Sequence, residues 1–125
     1  MARHNEVGKW GEELASAYLQ SKGYAIIERN WRSGRRDIDI IAITPDGQTT
    51  VFVEVKTRTS SFIRPEMAVN TQKVRNIILA AHSYAKYHRM CRNMRFDIIS
   101  IIGENEAVAT IEHLDNAFLP ITALR

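Results

Sequence analysis

The stretch that decides the fold is DIDIIAITPDGQTTVFVEVKT, residues 37–57. Two apolar, β-prone runs, 37–43 and 51–57, flank a segment whose Pro45, Asp46 and Gly47 are turn formers, each for its own physical reason. The pattern predicts an antiparallel hairpin. Both runs carry charge where a buried strand should have none: Asp37 and Asp39 in the first, Glu54 and Lys56 in the second. Alternate residues of a strand share a face, so each run presents its two charged groups together. Pairing about the Asp46-Gly47 turn places Asp39 opposite Glu54 or within one residue of it. A slip of one residue would send the two carboxylates to opposite faces.

Burying unpaired charge is expensive, so these groups either neutralise each other or face something that needs them. Two readings stand at this point. Asp39, Glu54 and Lys56 can form a cross-strand salt-bridge ladder on a solvent-facing sheet. Alternatively, Asp39 and Glu54 repel each other until a cation sits between them. A hard divalent ion such as Mg²⁺ suits a site of one or two carboxylates completed by water and phosphate oxygens. Its chemistry there is phosphodiester hydrolysis, with Lys56 steering the water or stabilising charge that develops on phosphorus.

Outward from the hairpin, VGKWGEELASAYLQSKGY puts Val7, Trp10, Leu14 and Tyr18 on one helical face, and Gly23 marks its stop. A short strand is expected over 24–29. After 57, SFIRP leads into a long helix from about Glu66 to His88, with Val74, Ile77, Ile78, Ala81 and Ala85 as its buried stripe. Further strands are expected at 95–102 and 107–114, with Gly103, Glu104 and Asn105 at the turn between them. The order αβββαββ predicts an α/β domain in which a mixed β-sheet is flanked by helices, each with one apolar face to bury. At 125 residues, with no low-complexity tract or linker, the chain reads as a single domain, 1–125.

Hydrophobic residues at 45% and charged residues at 25% are the proportions of a soluble protein. No apolar stretch approaches the length of a membrane span, and the N-terminus has charge throughout and no signal-peptide core. A lone Cys91 excludes an internal disulfide and a cysteine metal site, and no base stands beside it in sequence. The four histidines show no ligand spacing. A cytoplasmic protein with no membrane association is expected. Net charge is +3, but residues 1–96 hold 16 Lys or Arg against 9 Asp or Glu, and residues 97–125 hold one against 5. The basic body suits a polyanionic partner, nucleic acid first and an anionic membrane second, and an ordinary charged surface is the equal alternative.

RNWRSGRR, residues 29–36, sets Arg29, Arg32, Arg35 and Arg36 around Trp31. Basic residues interleaved with an aromatic fit a loop that grips a phosphate backbone and stacks a base. The other reading is a loop anchored by a partly buried Trp31. Arg58, closing the second hairpin strand, and Lys73, beside Arg75 on the long helix, are further candidates for phosphate contact. For Lys73 a solvated helix face is the alternative.

Asp on one strand of a pair and Glu-x-Lys on the other is the arrangement of the PD-(D/E)xK nucleases, which this sequence resembles. It resembles more closely the YraN-like family of uncharacterised bacterial proteins grouped with them, and is similar to archaeal Holliday junction resolvases. The likeness runs through GKWGEELASAYLQSKGYAIIERNWR, RDIDIIAI, VFVEVKTR, the lysine of NTQKVRNIILAAHSYA and MRFDIIS, over roughly residues 8–100. It implies a restriction-endonuclease-like fold and a metal-dependent endonuclease cutting DNA, with a preference for branched or junction structures. It implies metal ligation by Asp39, Glu54 and the Val55 carbonyl, Mg²⁺ or Mn²⁺ as the ion, Lys56 as the catalytic lysine and Glu12 as a helical acid. It also implies a homodimer as the working form. The chain departs from the family at Arg36-Asp37-Ile38-Asp39, where Gly-Glu-Ile-Asp is usual. Two alternatives remain: an inactive nucleic-acid-binding module of the same fold, and an interaction protein that binds no nucleic acid.

Overall fold

The 37–57 hairpin forms, and the rest of the sheet is built on it. The computed structural model describes residues 2–58, 71–90, 92–105 and 107–117, with side chains from Lys9 onward. The elements are α1 (Ala2–Ser21), β1 (Ala25–Ser33), β2 (Arg36–Ile43), β3 (Thr49–Arg58), α2 (Thr71–Tyr87), β4 (Asn93–Ile102) and β5 (Thr110–Leu114). This is the expected order, αβββαββ. The predicted helix start at Glu66, the SFIRP segment, Cys91 and the side chain of Val7 lie outside the described residues.

Five strands make one mixed sheet in the order β1-β2-β3-β4-β5. Neighbours are antiparallel except β3 and β4, which run parallel and are joined across α2. Parallel neighbours need such a crossover because a tight turn cannot return the chain to the same end. The two helices cover opposite faces. Ala15 and Leu19 of α1 pack on Ile40, Ala42, Val51, Val53, Ile99 and Ile101. Ile77, Ile78, Ala81 and Tyr84 of α2 pack on Ile38, Ile41, Phe52, Phe96 and Ile98. With both faces covered, the central strands β3 and β4 are buried almost without alternation, whereas the edge strands β1 and β5 alternate. Phe52 lies at the middle of the α2 side, stacked on Phe96 with ring centroids 5.6 Å apart and edge-on to Tyr84 at 6.0 Å. Its loss to alanine would cost about 3–5 kcal/mol.

The β2–β3 turn is fixed by its own sequence. Gly47 adopts φ 75°, its N–H donates to the Thr44 carbonyl at 2.8 Å, and Asp46 Oδ1 accepts from Thr44 Oγ1 at 2.7 Å and from the Gln48 N–H at 3.0 Å. Helix α1 stops at Gly23, φ 92°, where the Tyr24 N–H reaches back to the Leu19 carbonyl at 3.0 Å.

Three expectations need correction. RNWRSGRR is a hairpin, not a loop: β1 runs on to Ser33, and Ser33 pairs with Arg36 around Gly34 and Arg35. Gly34 at φ 63° supplies the left-handed first position of such a two-residue connection, so Gly-X between two strands was the signal. The far end of the α2 stripe is Tyr84, buried against Phe52 and Trp31, and Ala85 is only partly covered. Strand β5 begins at Thr110, three residues later than expected, because 107–109 are still part of the turn.

Candidate active site

Sheet register brings the two predicted carboxylates together. The β2–β3 ladder runs from Ile43↔Thr50 to Ile40↔Val53, so the next step sets Asp39 against Glu54. At that step the ladder changes character. Ile38 packs on the α2 side although Ile40 packs on the α1 side, so the alternation of β2 slips at Asp39. The Val55 N–H, which would otherwise continue the ladder, donates instead to Asp39 Oδ2 at 2.8 Å. A side-chain carboxylate has thus taken the place of a backbone carbonyl. Since N–H and C=O of one strand residue project to the same side, the Val55 carbonyl also faces the β2 side of β3.

Glu54 is 4% exposed in the middle of β3. Its Oε1 lies 3.6 Å from Lys56 Nζ and 3.6 Å from Lys73 Nζ. Lys73, on α2, also lies 3.9 Å from Asp37 Oδ1. The sequence singled out neither the Lys73–Glu54 pair nor a partner for Asp37, because both depend on how α2 docks over the sheet. Helix α1 brings Glu12 within charge range of Asp39, and the neighbouring Gly11 sets how close the helix lies. A Cβ at position 11 would run into the Thr57 side chain, so only glycine lets α1 lie this close to β3. Arg29 of β1 lies 4.0 Å from Glu12 Oε1 and donates to Glu13 Oε1 at 3.2 Å.

The balance of charge separates these carboxylates from an ordinary buried pair. Burial, and then the charge of Glu54, push Asp39 up to about 7, with Glu12 adding to the rise; the Val55 hydrogen bond and Lys73 only partly oppose it. Burial likewise holds Glu54 above the usual carboxylate range in spite of Lys73 and Lys56. Burial lowers Lys73, but Glu54, Asp37 and Asp39 outweigh it and raise the ammonium above its ordinary value. Lys73 meets three carboxylates, whereas Glu54 is the more deeply buried, so pairing wins for the lysine and desolvation for the acid.

Asp97 of β4 shows what a satisfied buried carboxylate looks like in the same protein. It accepts from Arg95 at 2.9 and 2.7 Å, from the Asn116 N–H at 3.0 Å, and lies 2.7 Å from His113 Nε2. Burial raises it, but the His113, Arg95 and Asn116 hydrogen bonds outweigh burial and hold it below the ordinary range. The network extends through Tyr24, 2.7 Å from Arg95, and Tyr18, 3.2 Å from His113, tying α1 and β5 to the sheet. An acid inside RFDIISII was the signal for it, the same signal that marks Asp39 and Glu54.

The remaining candidates are spread around this centre. Trp31 is partly buried: it packs on the α2-side core, edge-on to Tyr84 at 5.2 Å. Arg32, Arg35 and Arg36 are exposed at the β1–β2 end of the sheet, and Arg58 is partly buried at the end of β3. Among the described residues no three His, Cys, Asp or Glu side chains form a metal cluster. Two carboxylates and a backbone carbonyl do fit Mg²⁺, which keeps waters and shares phosphate oxygens instead of taking an all-protein cage. No helix among the described residues is long and apolar enough to cross a membrane.

Residues 11–101 match the family described as Uncharacterised protein family UPF0102. A UPF0102 protein of Bacteroides thetaiotaomicron is 46% identical over 96% of this chain and 98% of its own length. One from Porphyromonas gingivalis is 44% identical over 94% of this chain and 87% of its own. One from Christiangramia forsetii is 43% identical over 94% of this chain and 98% of its own. The matched span runs from the glycine that seats α1 on β3 to the end of β4, and so takes in every residue of the carboxylate site; the chain belongs to the UPF0102 family, the YraN-like family.

Proposed function

We propose that this protein is a metal-dependent nuclease of the PD-(D/E)xK kind, an endonuclease acting on DNA and favouring branched or junction structures. One observation carries the reading: Asp39 and Glu54 lie just past the last β2–β3 pair, close enough for the charge of Glu54 to raise Asp39, and both are held above the ordinary carboxylate range by burial. Asp97, buried in β4, is matched by donors and held below it. A cross-strand ladder would account for Lys56 and Lys73 on Glu54, but it leaves Asp39 only partly compensated.

Asp39, Glu54 and the Val55 carbonyl would hold Mg²⁺ or Mn²⁺. The ion would supply a Lewis acid for a phosphoryl oxygen and lower the pKa of the attacking water. Lys56, whose side chain is 28% exposed beside Glu54, is placed to stabilise negative charge developing on the phosphoryl oxygens. Glu12 adds a further acid at the edge of the site, held there by Arg29. Lys73 holds Glu54 and Asp37 in place from α2. Arg32, Arg35, Arg36 and Arg58 would carry the phosphate backbone past the site, without reading sequence.

The test is cleavage of a panel of branched, single-stranded and duplex DNAs with Mg²⁺ or Mn²⁺, alongside Glu54→Ala and Lys56→Ala. Metal-dependent nicking of at least one substrate, abolished in both variants, is expected. Salt-sensitive binding without cleavage would identify an inactive binding module, and no salt-sensitive binding at all would remove nucleic acid as the partner.

A further inference from the structure

Asn30 of β1 is the only described strand residue with a left-handed backbone, φ 53°. Arg29 pairs with Ile40 and Trp31 with Ile38, so the same register sets Asn30 opposite Asp39. In a regular strand, residues two apart share a face. Here they do not. Arg29 is on the α1 side, where it donates to Glu13, and Trp31 is on the α2 side, against Tyr84. Their partners divide in the same way, Ile40 under α1 and Ile38 under α2. Both strands therefore turn over within one step, at Asn30 and Asp39.

The left-handed residue of this turn is carried by β1. Asp39 keeps φ negative, whereas Asn30 does not. Asparagine is among the few residues with a Cβ that enter that region readily. Its side chain is exposed, so the position asks for a backbone conformation and not for packing. The β1–β2 ladder survives the turn, but the β2–β3 pairs end at Ile40↔Val53, just before it. β1 and β2 thus turn as a unit and part from β3 as backbone partners. With its neighbours on opposite faces, Asp39 points along the sheet into that parting, where its Oδ2 accepts the Val55 N–H at 2.8 Å. Paired residues of an antiparallel ladder share a face, so a β1 that alternated regularly would hold β2 to the same alternation. Asp39 would then lie under one of the helices. Irregular edge strands also discourage pairing with other chains. That purpose needs a turn in β1 alone and does not account for the matching turn in β2.

We propose that Asn30 is a positioning residue for the carboxylate site: its left-handed backbone turns β1 and β2 over together and so aims Asp39 at β3, beside Glu54. What Asp39 does once aimed rests on the nuclease reading; how it is aimed does not.

The experiment follows backbone amide exchange in the whole protein in EDTA, with Asn30→Gly and Asn30→Val beside the wild type. Glycine enters the left-handed region freely, and a β-branched residue resists it while suiting an extended edge strand. In Asn30→Gly the Val55 amide should exchange as slowly as in the wild type. In Asn30→Val it should exchange about tenfold faster or more, while Val51, Phe52 and Val53 keep their protection, because local opening is read amide by amide. A role in stability alone would weaken all four together. Should Asn30→Val not fold, Asn30→Ala, with a smaller left-handed penalty, carries the same comparison. Mn²⁺ titrated into each protein, followed by broadening of the amides around Glu54, should require about fivefold more metal in Asn30→Val and no more in Asn30→Gly. Selective release of Val55 in a protein whose wild type takes up no Mn²⁺ would uphold the placement of Asp39 and defeat the metal reading. Unchanged or uniformly faster exchange in Asn30→Val, release of Val55 in Asn30→Gly, or an unaltered requirement for Mn²⁺ where the wild type binds it would overturn the proposal. So would self-association of Asn30→Val with Val55 still protected, which would assign the turn to guarding the β1 edge.

Discussion

Replacing Asp39 by Asn should stabilise the metal-free protein, by an amount that depends on pH in a calculable way. Asn keeps an oxygen for the Val55 N–H, which Asp39 accepts at 2.8 Å, and removes the charge. In the folded protein Asp39 is raised from 3.8 to about 7, first by burial and then by Glu54. Below pH 4 the carboxyl is protonated both folded and unfolded and costs nothing. Between roughly pH 4 and 7 the unfolded chain ionises while the folded one does not, so stability falls with rising pH by about 1.4 kcal/mol per unit. Above 7 the loss is complete, with a ceiling of about 4 kcal/mol from the three-unit rise; relaxation around the charge will reduce it. Urea denaturation in EDTA at pH 4, 5, 6, 7 and 8 measures the difference between wild type and Asp39→Asn, in which the titrations of groups remote from Asp39 cancel and that of Glu54 shifts with the lost charge. The gap should open from near zero at pH 4 and level off above 7. Added Mg²⁺ at pH 8 should stabilise only the wild type. A gap that is constant with pH, or a variant less stable at pH 8, would show that Asp39 is already matched within the fold and would remove the reason for an ion.

Asp97→Asn should behave in the opposite way. Its hydrogen bonds hold the carboxyl below the ordinary range, so the stability it contributes is present above about pH 4 and lost as pH falls through the depressed folded value; the variant, leaving Arg95 and His113 poorly matched, should lose about 3 kcal/mol at pH 7, with the gap closing only in strong acid. Gly11→Ala should lower the melting temperature by several degrees (about 1–3 kcal/mol of overpacking), because its Cβ meets Thr57, and should reduce cleavage by displacing Glu12. Lys73→Met should destabilise the metal-free protein by about 1–2 kcal/mol at pH 8 and less at pH 5, since Glu54 and Asp37 lose their shared ammonium and protonation of Glu54 relieves the loss in acid. Thermal melts at the two pH values check it.

How much of this was written in the chain depends on whether the information is local. The β2–β3 hairpin was legible because its turn is self-contained: Asp46 and Gly47 close on Thr44 and Gln48, and two strands of matched length leave few registers to choose from. The β1–β2 hairpin was missed because arginines at both ends of Gly34 mask the strand pattern; its pairing is set by Trp31 packing on Tyr84 from a helix fifty residues later. The α2 stripe was misread at its end for a similar reason. Tyr84, three residues from Ala81, and Ala85, four from it, flank the stripe on opposite sides, and which one faces inward is settled by the space beside Phe52.

The site divides along the same line, and the division says why a charged strand survives in a buried place. Asp39, Glu54 and Lys56 are conspicuous in sequence because they break an apolar run, as Asp97 does. What sequence cannot show is whether the fold supplies the countercharge. For Asp97 it does, through Arg95 two residues away and His113 across the β4–β5 pair. For Asp39 and Glu54 the described residues supply one backbone N–H and two lysines against several carboxylates, at the step where the β2–β3 ladder stops pairing backbone with backbone. A fold selected for stability alone would have closed that step with an apolar pair, as it does at Ile40 and Val53 immediately before it. A pair of acids that the described residues compensate only in part, at the end of a ladder and beside the helix that glycine draws in, is destabilising, and that is the ground for proposing an ion there.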